Sequence, residues 1–245
     1  MRITHRLLPL LLLPLLAAPL HAAEGLYLTW NDCAHNGAGQ SVLVPDCGSS
    51  TPSVLYCAMV MPQPTDSVLG AEITIDLQVA DSSLPDWWRF DTGGCRDGDL
   101  AANVNFSALN ACGAIWPNLA SSGVLGYTIG MPRGGLNQAR IRVGVAVPSN
   151  QFVQLNATDM YYVARVVLAG NATCGGCEEP ACLVLNSIRI FRPPRPEGVP
   201  TTDVVVTAPG QGNGNWAGWQ TAAATTCQAV PVRNRTWGAV KSLYR

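Results

Sequence analysis

An all-β, mainly antiparallel fold is what this sequence predicts: a β-sandwich of jelly-roll type with a short helical insertion and a Pro/Gly-rich C-terminal extension. Three observations lead there. Polar and apolar residues alternate in the central segments, no long helical pattern separates those segments, and nine cysteines follow what reads as an export signal.

The start of the chain carries the export reading. Arg2, His5 and Arg6 precede an unbroken apolar run over residues 7–20, and small residues follow at Ala22 and Ala23. That is the order of a secretory signal peptide. A run of about 14 residues falls short of the ~20 needed to cross a bilayer, so no membrane span is expected. With cleavage placed after Ala23, the expected organisation is a signal peptide at 1–23, a sandwich domain at 24–192, and a linker with a C-terminal extension at 193–245. The expected destination is secretion, the periplasm or the cell envelope. The scarcity of lysine beside arginine suggests a bacterial source.

Strands follow from periodicity. Ile73, Ile75, Leu77 and Val79 share one face of a segment whose other face holds Glu72, Thr74, Asp76 and Gln78. Ile141, Val143, Val145 and Val147 repeat the pattern. Residues 161–168 and 183–191 are further β-branched or aromatic runs, and 26–30 and 54–60 fit as well. Strict alternation implies one buried and one wet face per strand. Residues 100–111 break the pattern, with Leu100, Val104, Ala108 and Ala111 at helical spacing behind Asp99 as N-cap, which predicts a short helix on a loop. Beyond Phe191, Arg192-Pro193-Pro194-Arg195-Pro196 cannot continue a sheet or helix, because proline lacks the amide donor. Residues 202–207 suit an edge strand, 210–214 read as flexible, and Thr236 caps a short basic, aromatic terminal helix.

Cysteine in an exported chain is more often bridged than metal-bound. The bridge candidates are Cys33, Cys47, Cys95, Cys112, Cys174, Cys177, Cys182 and Cys227. Spacing favours two local pairs, Cys33–Cys47 and Cys95–Cys112, with one bridge inside the 174–182 cluster and one out to Cys227. Nine is odd, and Cys57, inside a predicted strand, is the candidate free thiol.

Composition and motifs exclude several functions. Charged residues are 13% and hydrophobic ones 48% of the chain, which argues against disorder throughout. Removing Arg2 and Arg6 from a formal charge of −1 leaves about −3, so no nucleic-acid footprint is present. His5 and His21 lie in the signal, leaving His35 as the one histidine of the mature chain. A Ser-His-Asp or Cys-His site would have to use it, and no nucleophile motif accompanies it. Adjacent Trp87 and Trp88, flanked by Asp86 and Asp91, form the candidate ligand site, because exposed tryptophans beside carboxylates can stack on and hydrogen-bond to sugars. Calcium held by these acids is the one cofactor left open. The function expected is a non-catalytic secreted or envelope module binding a glycan or an envelope protein. The alternatives are a surface protein docking through its C-terminal tail and a hydrolase with an unrecognised carboxylate site.

Overall fold

A computed structural model describes residues 23–32, 40–106, 115–116, 120–171, 173–193, 203–211 and 214–220. The chain is nearly all β, and its ladders are antiparallel save one. A four-stranded sheet takes β1 (Gly25–Trp30), β3 (Ser53–Val60), β10 (Met160–Leu168) and β6 (Leu100–Asn103) in the order β1-β3-β10-β6. A seven-stranded sheet runs β2-β13-β11-β5-β8-β7, built from β2 (Val42–Leu43), β13 (Trp216–Trp219), β11 (Ala181–Phe191), β5 (Gly70–Val79), β8 (Gln138–Ala146) and β7 (Ser121–Ile129). Its last member, β12 (Val204–Val206), pairs with the second half of β11, while β4 (Thr65–Val68) and β9 (Val153–Leu155) form a separate ribbon. Among the described strand pairs β13–β2 is parallel, and an isolated bridge from Leu26 to Pro209 is parallel as well.

Both sheets contribute to one core. Leu26, Leu28, Trp30, Leu55, Cys57 and Met59 from the smaller sheet share it with Ile73, Ile75, Leu77, Ile141, Val143, Leu183 and Leu185 from the larger. The alternation of the sequence thus directs its apolar set inward. The polar set of the larger sheet faces out, where Arg142 pairs with Glu72 at 2.9 Å and Arg189 with Asp203 at 2.6 Å. The smaller sheet departs from that rule. Its outward face holds Tyr27, Tyr56, Ala58, Val60 and Tyr162, and all are buried in a second cluster with Phe106. The 100–111 segment explains this in part: residues 100–103 form β6 rather than a helix, and Phe106 then packs on Tyr56 and Tyr162 at 6.2 Å each. The remainder of the expected helix, from residue 107 on, lies outside the described residues, as does the terminal helix.

Two described segments beyond 192 join the larger sheet. β12 and β13 both pair with β11, and between them the chain covers the outer edge of β1. There Leu26 N–H donates to Ala208, Leu28 N–H to Gly214 and Gly210 N–H to Leu26, so an edge that would otherwise recruit a stray strand is sealed. Gly210 and Gly214 serve a close approach to Tyr27. A Cβ on Gly210 would sit 2.3 Å from the Tyr27 ring, and the Tyr27 hydroxyl accepts from Gln211 N–H at 3.1 Å.

The local disulfides expected from spacing do not form. Cys47 bridges Cys177, 130 residues away, and Cys95 bridges Cys174, 79 residues away. Cys182 is disulfide-bonded as well, while Cys33, Cys112 and Cys227 lie outside the described residues. Cys57 is a free thiol in the core, and burial pushes its pKa up to about 12. The physical reason for the long-range bridges is topological. The chain changes sheet at nearly every step, so segments remote in sequence meet at one end of the molecule.

Candidate functional site

The 84–99 loop carries Trp87, Trp88, Asp86 and Asp91. Pro85 opens a single 3-10 turn at Asp86–Trp88, and both tryptophans turn inward. Trp87 is 3% exposed and Trp88 0%. Their rings pack on Trp219 at 5.6 and 5.2 Å, and Trp219 in turn packs on Trp30 at 5.6 Å. A sugar-stacking platform needs an open ring face, and neither ring offers one, so the ligand site expected at the surface is core. Both indole N–H groups are buried without an acceptor.

Arg96 closes the loop. Fully buried, it lies 3.9 Å over the Trp87 ring and 4.6 Å over Phe90, where ring faces attract a cation. Its guanidinium donates to the carbonyls of Trp87 and Ala169 and pairs with Asp99 at 3.3 Å. Burial lowers the Arg96 pKa and the Asp99 partner works against that shift. Asp99 is fixed further by Asn171 at 3.0 Å. The backbone N–H of Trp87 donates to the carbonyl of Gly175, in the loop that Cys95–Cys174 and Cys47–Cys177 tie down. The tyrosine of β7, Tyr127, donates its hydroxyl to the Trp88 carbonyl and sets its ring edge-on to Phe90.

The acids around the tryptophans do not converge. Asp86 is exposed, whereas Asp91 is held by Arg89 at 3.1 and 2.9 Å, a pairing that lowers its pKa. Asp97 accepts from Gly93 N–H at 3.0 Å, which makes it a turn former. Among the described residues no group of three His, Cys, Asp or Glu side chains is placed to hold a metal ion, so the calcium expectation finds no cage there. His35 lies outside the described residues.

A second polar cluster sits on the outward face of the larger sheet. Asp76, fully buried on β5, takes two hydrogen bonds from Arg140 of β8, at 2.6 and 2.9 Å, and one from Asn186 of β11. Asn186 is the extra residue of a β-bulge between Leu185 and Ser187, which aims its amide at Asp76. The Arg140 pKa is raised, chiefly by that hydrogen bond. Glycoside hydrolysis uses two available carboxylates ~5–9.5 Å apart. Here Glu72 and Asp76 are each engaged by an arginine, and four residues along a strand separate them by ~13 Å. The cluster is a cross-strand brace.

The β7 edge, beside which β6 of the smaller sheet lies, was not singled out by the sequence reading. β7 pairs with β8 on one side only, and its other edge receives no backbone hydrogen bond among the described residues. Ser121–Ile129 contains no charged residue and no proline; Ser121, Leu125 and Thr128 are exposed and the other positions are partly buried, with Tyr127 and Ile129 packed against the core. Leu125, 59% exposed, lies over Gly144, where a Cβ would meet its methyl at 2.9 Å. Met131 and Leu136, on the turn into β8, extend the exposed apolar surface. No family model, no curated protein and no solved structure matches the chain. The site therefore rests on its geometry. The signal that could have found it is the run Val124, Tyr127 and Ile129, obscured by Ser121, Ser122, Gly123 and Gly126, which read as loop.

Proposed function

We propose that this chain is an exported, non-catalytic module that binds an envelope or extracellular protein by adding a strand to the open β7 edge. The observation that carries the reading is the uncharged nine-residue edge, which among the described residues pairs with β8 alone. Edge N–H and C=O groups supply main-chain hydrogen bonds to an extended segment, and side-chain contacts supply selectivity. Leu125, Met131 and Leu136 are the apolar contacts such a segment would cover. Burial of Trp87 and Trp88 moves the ligand from a glycan toward a protein. Long-range disulfides and the N-terminal signal pattern support secretion or an envelope location, and among the described residues no helix is long and apolar enough to cross a membrane. Successive strands that alternate between the two sheets support a sandwich of jelly-roll type.

Photo-crosslinking in the producing cell tests the reading. A benzophenone amino acid replacing Leu125 should yield one defined protein adduct, whereas the same group at Val205, exposed on β12, should not. Equal labelling from both positions, or none from Leu125, would remove the β7 edge as the binding site.

A further inference from the structure

We propose that Cys174 and Cys177 form a thiol–disulfide exchange centre, at which one dithiol of the exporting compartment converts two bridges between loops into a single Cys174–Cys177 bond. The function proposed above makes no use of the motif Cys174-Gly175-Gly176-Cys177. Its two cysteines bond to different parts of the chain, Cys174 to Cys95 in the 84–99 loop and Cys177 to Cys47 between β2 and β3. Both bridges therefore start from one short turn, and a thiolate freed from the first stands beside the second.

Access decides where reduction begins. Cys95 is exposed, Cys47 is partly buried, and Cys174 and Cys177 are buried. Exposed disulfides are the labile ones, so an incoming thiolate attacks Cys95 Sγ. A bond forms between those two sulfurs, the Cys95–Cys174 bond breaks, and its electron pair leaves on Cys174 Sγ. The turn can then tighten, because both residues between Cys174 and Cys177 are glycine. A Cβ on Gly175 would meet nothing within 4 Å among the described residues, and Gly176 has a φ of 89°. The turn also keeps its place without the bridges. The Trp87 N–H holds the Gly175 carbonyl at 2.9 Å, and Gly176 packs so closely on Pro85 that a Cβ would stand 2.3 Å from its ring.

The Cys174 thiolate attacks Cys177 Sγ next. The Cys174–Cys177 bond forms, Cys47–Cys177 breaks, and the electron pair leaves on Cys47 Sγ. That sulfur has a donor waiting. The buried Gln220 amide donates to Cys47 Sγ at 3.3 Å and to the Cys177 carbonyl at 3.1 Å, where it stabilises the departing thiolate. Gln220 has a φ of 58° without being glycine, and backbone strain of this kind gathers at functional sites. The second sulfur of the dithiol finally attacks the first, closing the reductant into a disulfide and releasing Cys95. The dithiol gives up two electrons and two protons, and Cys47 and Cys95 end as thiols. One reduction opens both bridges, whereas independent bridges would need two.

The test treats the oxidised mature protein, under native conditions, with one equivalent of dithiothreitol. N-ethylmaleimide added at intervals traps free thiols, and trypsin with a glutamate-specific protease then cuts the chain. Fragment 90–96 should carry label on Cys95 and fragment 25–72 on Cys47, while fragment 166–178 should run alone, unlabelled and closed by its own bond. Label on Cys174 with Cys47–Cys177 intact would overturn the proposal. Cys57, a free thiol in the core, reports on folding. Its labelling in the same molecules would mean that the exchange followed unfolding, and would overturn the proposal as well. In Gln220→Leu, label trapped on Cys174 should rise severalfold relative to Cys47, while Cys95 opens at the parent rate. An unchanged ratio would remove Gln220 from the step.

Discussion

The 84–99 loop and the β7 edge lie in contact, joined by the hydrogen bond from Tyr127 to the Trp88 carbonyl, yet they are built on opposite principles. The loop gathers almost every residue that attracts attention in the sequence: two tryptophans, several aspartates, a buried arginine and a cysteine bridge. All of it is used to close irregular backbone over a core. Loops normally stay at the surface because their polar groups need partners, and this one supplies its own through Arg96. The β7 edge has no charged residue, cysteine or tryptophan, and among the described residues its backbone is hydrogen-bonded to β8 alone. Chemically rich residues mark the place that is held shut, and bland residues mark the edge proposed above to receive a partner.

Breaking the loop should give the largest effects. Trp88→Ala removes a fully buried ring that touches Trp219 and Phe90, and such truncations cost about 3–5 kcal/mol. Urea titration of the oxidised protein should show that loss; a change below about 1 kcal/mol would mean the ring is not core. Arg96→Met should cost somewhat less, about 3 kcal/mol, because it orphans the Trp87 and Ala169 carbonyls and removes the cation from two ring faces. Part of the loss is offset, since Asp99 is 29% exposed and can be hydrated once its partner is gone. Arg96→Lys should recover a fraction of the stability through the remaining charge, measured in the same titration.

The contrast also explains how much of the molecule was legible. β5 and β8 follow from alternation, and β10 and β11 from β-branched or aromatic runs whose period is interrupted by bulges at Val163 and Asn186, while β1 and β3 fit as further apolar runs. β6 was misread, since Leu100 and Val104 fit helical spacing while Leu100 and Ala102 fit a strand equally well. Pairing with β10 decides between them, and that lies 62 residues downstream at Arg165↔Asn103. The two described bridges escaped a spacing argument for the same reason: loop length says nothing about which loops a sheet-alternating chain brings together. The tryptophan pair was legible as important and illegible as to its side, because a 3-10 turn inside a loop has no face that periodicity can assign. β13 was hidden by its brevity, although Trp219 sits at the centre of the aromatic cluster.

The smallest expected effect sharpens the comparison most. Leu125→Lys adds a charge at a bulged position on the open edge, whose neighbour Gly144 offers only backbone beneath it. Surface changes away from packed features stay within about 0.5 kcal/mol, so thermal and urea stability should match the parent. An edge lysine also discourages strand addition, because a partner strand would have to bury the ammonium. Adduct formation from a benzophenone amino acid at Leu136 should therefore fall severalfold in Leu125→Lys while folding is unaltered. If stability fell by more than about 1 kcal/mol, the Leu125–Gly144 contact would be packing. β7 would then belong with the loop as structure and not with the open surface.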